Sequence, residues 1–86
     1  MHVRIISPER AVFDGDASAL VAPAYDGEVG VLPRHAPFMT LLGRGVLKLT
    51  VAGGTRVYHV RGGFLQVLHD TVSIVTEHAS EIEKGA

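Results

Sequence analysis

Val46-Leu47-Lys48-Leu49-Thr50-Val51, then Ala52-Gly53-Gly54-Thr55, then Arg56-Val57-Tyr58-His59-Val60, carries the clearest structural signal in the chain. Leu47, Leu49 and Val51 alternate with Lys48 and Thr50. One set therefore shares a face and the other the opposite face, which is the period-two pattern of a half-buried strand. The paired glycines supply the positive φ angles of a primed hairpin turn, and Arg56 to Val60 pairs back. The stretch reads as a β-hairpin. Leu47, Leu49 and Val57 are assigned to the core, and Tyr58, His59 and Arg61 to the open face of the sheet.

The same grammar continues on both sides. Downstream, Gly62-Gly63 breaks the chain before Phe64 to Leu68, and His69-Asp70 separates that run from Thr71 to Thr76. Upstream, the runs are Val3 to Ile6, Ala11 to Phe13, Ser18 to Ala22, Gly27 to Leu32 and Phe38 to Leu42. They are punctuated by Ser7-Pro8, Asp14-Gly15-Asp16, Pro23, Pro33 and Gly43-Arg44-Gly45. No window carries a 3.6-residue apolar period. Short strands with turn chemistry every 8–12 residues or so predict an all-β fold, a small flattened sandwich or barrel of about 8–10 short, mostly antiparallel strands. Val29, Val31, Val67, Ile74, Phe13 and Phe64 complete the expected core. Residues 1–79 read as one β-sandwich domain and residues 80–86 as a short frayed tail. Ser80 with Glu83 has the look of a capping box, but a helix this short is marginal.

Composition excludes several functions. The chain has 86 residues and a net charge of −1, with 47% hydrophobic and 20% charged residues. That balance is globular and offers no electrostatic footprint for nucleic acid. Cysteine is absent, so no disulfide, thiolate metal site or thiol nucleophile exists. The start at Met1 lacks the apolar stretch of a signal peptide, and no run approaches the ~18 apolar residues of a membrane span. The histidines, at 2, 35, 59, 69 and 78, lack the spacing of a helical ligand pair. Asp14-Gly15-Asp16-Ala17-Ser18 opens like a calcium loop, but Ala19 and Tyr25 stand where that loop needs Gly and Glu. There is no phosphate-binding loop and no serine in a nucleophile elbow. No catalytic residue, metal, nucleotide or cofactor is expected.

The segment Pro23-Ala24-Tyr25-Asp26-Gly27-Glu28-Val29-Gly30-Val31-Leu32-Pro33-Arg34-His35-Ala36-Pro37-Phe38 resembles the signature of epsilon subunits of F-type ATP synthases. There a Gly-Glu-aliphatic-Gly-aliphatic stretch runs into a Pro-x-His-Ala-Pro loop. Ile6-Ser7-Pro8-Glu9-Arg10 with Phe13-x-Gly15 is similar to that family's first hairpin. Gly62-Gly63-Phe64-Leu65-Gln66-Val67 and Val72-Ser73-Ile74-Val75-Thr76-Glu77 are similar to its last two strands. The matches run in order over residues 3 to 79. Two departures stand out. The family's C-terminal two-helix hairpin does not follow, so its regulatory role and the ATP site some members form with it are expected to be absent. Arg34 occupies a position commonly held by Gly, which implies a loop with no need of a Gly-only backbone there.

The resemblance implies a non-catalytic rotor part of the central stalk of a proton-translocating ATP synthase. It would dock the gamma shaft to the membrane c-ring, at the cytoplasmic face of the bacterial inner membrane rather than in an organelle. It places ring contacts at Glu28, His35 and Arg34, and gamma contacts at Ser7, Met39 and Thr40. Read alone, Glu28 is a solvated strand-end charge, His35 a turn histidine bonded to its own loop, and Met39 a core residue. A stand-alone sandwich that binds a sugar or peptide is the alternative. The chain's aromatic content, two Tyr and three Phe with no Trp, is thin for a sugar platform.

Overall fold

The hairpin forms where its alternation places it. In the computed structural model, which describes residues 1–82, β6 (Arg44–Val51) and β7 (Gly54–Arg61) pair antiparallel, with Leu47 opposite Tyr58 and Leu49 opposite Arg56. The turn is not the primed one expected. Of its two central residues only Gly53 has a positive φ, 89°, which is the sign pattern of a type II turn. The primed pattern occurs instead at His69-Asp70, with φ of 51° and 58°, between the paired residues Leu68 and Thr71. His and Asp are among the few non-Gly residues enriched in that region.

The other strands are β1 (His2–Ile6), β2 (Ala11–Asp16), β3 (Ala19–Ala24), β4 (Gly27–Val31), β5 (Phe38–Leu41), β8 (Phe64–Leu68), β9 (Thr71–Val75) and β10 (His78–Glu81). They form two five-stranded sheets. The front sheet runs β2-β1-β9-β8-β5 and the back sheet β10-β7-β6-β3-β4. Among the described residues, only β1 and β9 pair in parallel. A bridge between Ala24 and Leu42 links the sheets on the β4–β5 side. The expected all-β sandwich is therefore the fold. β3 runs through Pro23, where the punctuation predicts its end. Its pairing with β6 has finished by Val21, so the missing proline N–H interrupts no ladder there.

Val3, Ile5, Leu20, Val31, Leu47, Leu49, Tyr58, Val60, Leu65, Val67, Val72 and Ile74 fill the space between the sheets. The expected faces of β7 are reversed. Tyr58 is 0% exposed, whereas Val57 is only half-buried. Directly paired residues of antiparallel strands share a face. Tyr58 opposite Leu47 must therefore point inward, and Val57 opposite Lys48 outward. Phe13 and Val29 flank the core half-buried. Phe64, expected in the core, is instead half-buried on the outer face of the front sheet, because its neighbour Leu65 takes the inward position.

The expected domain boundary at residue 79 falls inside β10. Ser80 and Glu81 pair with His59 and Tyr58 of β7, so Ser80 is a strand residue and caps no helix. The remainder of the expected tail, 83–86, lies outside the described residues. A free sheet edge gives this short segment backbone partners that a one-turn helix lacks. A side-chain clasp adds to them: Arg56 Nε and Nη2 donate to Glu81 Oε2 and Oε1 at 2.9 and 2.8 Å. This bidentate bond holds the Glu81 carboxyl below the usual glutamate range. The clasp is complete above that ordinary range and is lost as pH falls through the lowered value of the folded state. Its contribution is modest, because both side chains are partly exposed. Protection of the Ile82 amide, whose N–H donates to Val57 O at 2.7 Å, is expected to fall on acidification when its exchange is measured against the intrinsic rate at the same pH. In Glu81→Gln that protection should be lowered already at neutral pH and should not change further with acid.

Candidate docking surfaces

The segment from Asp26 to Phe38 is an edge strand followed by a loop with two prolines. Glu28 is exposed on β4, opposite Pro23. Leu32-Pro33-Arg34-His35 closes a turn in which His35 N donates to Leu32 O at 3.1 Å. Pro33 fixes its own φ, and Arg34 has φ 67°, the sign pattern of type II. The expectation of ordinary backbone at Arg34 is therefore overturned. The position uses the left-handed region that favours Gly, at about 1–2 kcal/mol for an L-residue. Arg34 N donates to Asp70 Oδ1 at 2.8 Å. A hydrogen bond to a charged group contributes about 1.5–3 kcal/mol, at the low end for one this exposed. It offsets the backbone cost.

His35 Nδ1 lies 2.7 Å from Ala36 O, so the own-loop bond exists and leaves Nε2 for a partner. Its ring packs 5.7 Å from that of Phe38. Glu28 and His35 do not touch. Glu28 sits near the start of β4 and His35 beyond its end, so about 10 Å of strand separates Glu28 from Val31 alone. Phe38 connects the two. Together with Glu28 it lines an open groove of about 590 Å³ between β4 and β5, also walled by Tyr25, Met39 and Leu41. Arg34 is drawn toward the β8–β9 turn through its backbone.

Ser7, Met39 and Thr40 are spread across the front sheet. Ser7 is 8% exposed and its hydroxyl donates to Arg10 O at 3.2 Å, so it shapes a turn and presents little surface. Thr40 is half-buried, opposite the buried Leu65. Met39 is 60% exposed and points outward, opposite Gln66.

Residues that the sequence reading did not place on a docking surface join these positions. Leu41 pairs with Phe64, Phe64 with Val75, and Val75 with Ile6. They form one apolar row across four strands on the outer face. Leu41 is 62% exposed and Val75 37%. The other end of that face is polar, with Asp14 bound by His2 Nε2 at 2.6 Å and by Arg4 Nε at 3.5 Å. The row has a signal in the sequence: Ile5-Ile6, Leu41-Leu42, Phe64-Leu65 and Ile74-Val75 are doubled apolar pairs. In a strand, one member of each pair must face away from the core.

Among the described residues, no three His, Asp or Glu side chains converge in a way that would hold a metal ion. No helix there is long and apolar enough to cross a membrane. The architecture is a two-sheet β module whose distinctive surfaces are an apolar outer row and an edge groove. A family model described as the β-sandwich domain of the ATP synthase delta/epsilon chain matches residues 1–82. The chain belongs to this family.

An ATP synthase epsilon chain of Exiguobacterium sp. is 41% identical over 85 residues, covering 98% of this chain and 62% of the relative. One from Roseiflexus sp. is 40% identical over 88 residues, covering 99% and 63%. One from Caulobacter vibrioides is 42% identical over 83 residues, covering 94% of each. The chain thus spans about three-fifths of the first two and nearly all of the third. A chain in the cryo-EM structure of the Euglena gracilis mitochondrial ATP synthase (OSCP/F1/c-ring) superposes with a TM-score of 0.85 at 26% identity, over 92% of this chain and 51% of that one. A chain of the Tetrahymena thermophila mitochondrial ATP synthase central stalk/c-ring structure has the same fold, with a TM-score of 0.80 at 18% identity, over 93% and 65%. These relatives lend no support to a stand-alone sugar- or peptide-binding sandwich.

Proposed function

We propose that this chain is a non-catalytic rotor component of a proton-translocating F-type ATP synthase, joining the gamma shaft to the c-ring on the cytoplasmic face of a bacterial membrane. The observation that carries the reading is the apolar row Leu41–Phe64–Val75–Ile6 on the outer face of a sandwich that belongs to the delta/epsilon family. Water-exposed rows of this kind on a sheet mark a surface made to be covered. Gamma is assigned to this row, with Met39 beside it. Met is adaptable and suits a surface that must fit a partner. The ring is assigned to Glu28, Arg34 and His35, where a carboxylate, a guanidinium and an imidazole offer charge-assisted bonds to polar loops. The role needs stiffness rather than chemistry, and a close-packed two-sheet core deforms little.

The test is binding to purified gamma. Met39→Glu with Leu41→Glu is expected to weaken it by about 10–100-fold, the effect of removing one or two anchor residues from an interface. The melting temperature should stay within a few degrees, because both side chains are largely exposed. Unchanged gamma affinity would defeat the assignment of this face.

A further inference from the structure

Type I and type II turns differ by a flip of the peptide between their two central residues. Pro33, at the first central position of Leu32–His35, is compatible with either. Arg34, at the second, favours type I, because type II requires positive φ. The chain nevertheless holds Arg34 at φ 67°. The flip decides where the Arg34 N–H points, and it points at Asp70 Oδ1, 2.8 Å away.

Asp70 lies 36 positions downstream, in the β8–β9 turn, and is anchored independently of the loop. Its carbonyl accepts from His2 N at 3.1 Å. Its Oδ2 lies 4.0 Å from the N-terminal ammonium, which donates to Ala17 O at 3.1 Å. The acceptor therefore belongs to the body of the sandwich, and the loop conforms to it.

We propose that Asp70 is the positioning residue of the docking loop: its carboxylate selects the flipped Pro33–Arg34 peptide and so sets where the Arg34 and His35 side chains point. The importance of that orientation rests on the reading of the loop as the ring contact. Asp70 itself makes the selection from the β8–β9 turn, without being part of the loop.

Asp70→Gly separates the roles. Gly adopts φ near 58° without strain, so the β8–β9 turn survives while the acceptor disappears. Asp70→Asn keeps a side-chain oxygen at the same place and tolerates the same backbone. The readout on the full chain is the nuclear Overhauser contact between Pro33 Hα and the Arg34 amide proton, strong in type II and weak in type I. It is expected to weaken in Asp70→Gly, with Arg34 amide exchange faster by about tenfold, and to persist in Asp70→Asn. A strong contact retained in Asp70→Gly overturns the proposal. Retention of the c-ring by the assembled enzyme is the second measurement. It is expected to fall by about tenfold in Asp70→Gly, the equivalent of one good contact, and to hold in Asp70→Asn. A switched turn with unchanged ring retention would uphold Asp70 as the selector and refute the loop as the ring contact.

Discussion

Gly63→Ala is expected to unfold the domain or bring it to the edge of unfolding. Gly63 has φ 98°, and a Cβ there would lie 1.9 Å from Val75 O and 2.7 Å from Thr76 Cα. Both are backbone atoms, so no rotamer change relieves the overlap. The surrounding backbone is also committed. Val75 pairs with Phe64 on one side and Ile6 on the other. Thr76 N donates to Ile6 O, and Leu42 N donates to Gly63 O, each at 2.9 Å. Moving Val75 aside would disturb β1, β8 and the Leu42 link between the sheets together. A loss of about 4–5 kcal/mol or more is in keeping with a backbone clash combined with a forbidden φ. Domains hold only about 5–15 kcal/mol in total, and small ones sit low in that range. Gly30→Ala is the control. A Cβ there meets nothing within 4 Å and φ is not left-handed, so its effect should stay within about 0.5 kcal/mol. Urea unfolding followed by circular dichroism distinguishes the two. Equal midpoints for both variants would show that the close approach at Gly63 does not constrain the fold.

The sandwich was legible wherever side-chain alternation controls the outcome, and illegible wherever backbone pairing does. Lys48 and Thr50 against Leu47 and Leu49 state a face unambiguously, and β6 follows them. β10 states almost nothing. His78-Ala79-Ser80-Glu81 buries little apolar surface, and its place is set by the edge of β7 and by Arg56, neither visible in the local pattern. The phase of β7 was ambiguous because Val57 and Val60 are an odd number of residues apart and cannot share a face. The turn resolves it. A two-residue turn at Ala52-Gly53 sets Val51 opposite Gly54 and therefore Leu47 opposite Tyr58. At the candidate surfaces, the motif located Glu28, Arg34 and His35 on exposed or half-exposed chain. It could not reveal that Ser7 turns inward, or that the apolar row assembles from four strands distant in sequence. Such a row exists only once the register is known. Arg34 marks a different limit: a residue type that disfavours a backbone state does not exclude it when a carboxylate from elsewhere in the fold favours that state.

Tyr58→Ala is expected to destabilise the domain and Tyr58→Phe to leave it as stable or more so, and the pair tests how the core is closed on the β2–β7 side. Tyr58 is fully buried. Phe13 meets its ring edge-on at 6.5 Å and 66°. The Arg56 guanidinium lies 5.3 Å from the centre of the Phe13 ring and 6.0 Å from that of Tyr58. The phenol thus plugs the gap between the sheets beneath the Arg56–Glu81 clasp. Truncation to Ala removes a large buried ring and leaves a cavity, at about 3–5 kcal/mol. β10 should loosen with it, because Arg56 loses an aromatic surface on which to rest. The hydroxyl behaves differently. It is buried with no hydrogen-bond partner among the described residues. Burial pushes its pKa up, against the opposing influence of Arg56. An unpaired buried hydroxyl costs about 1–3 kcal/mol, so Tyr58→Phe, which keeps the ring, should be neutral or stabilising by up to about that amount. Thermal and urea unfolding of the two variants beside the parent give the answer. A Phe variant less stable than the parent by more than about 1 kcal/mol would mean that the hydroxyl makes a net favourable bond, and that this side of the core is held by polar contacts as much as by packing.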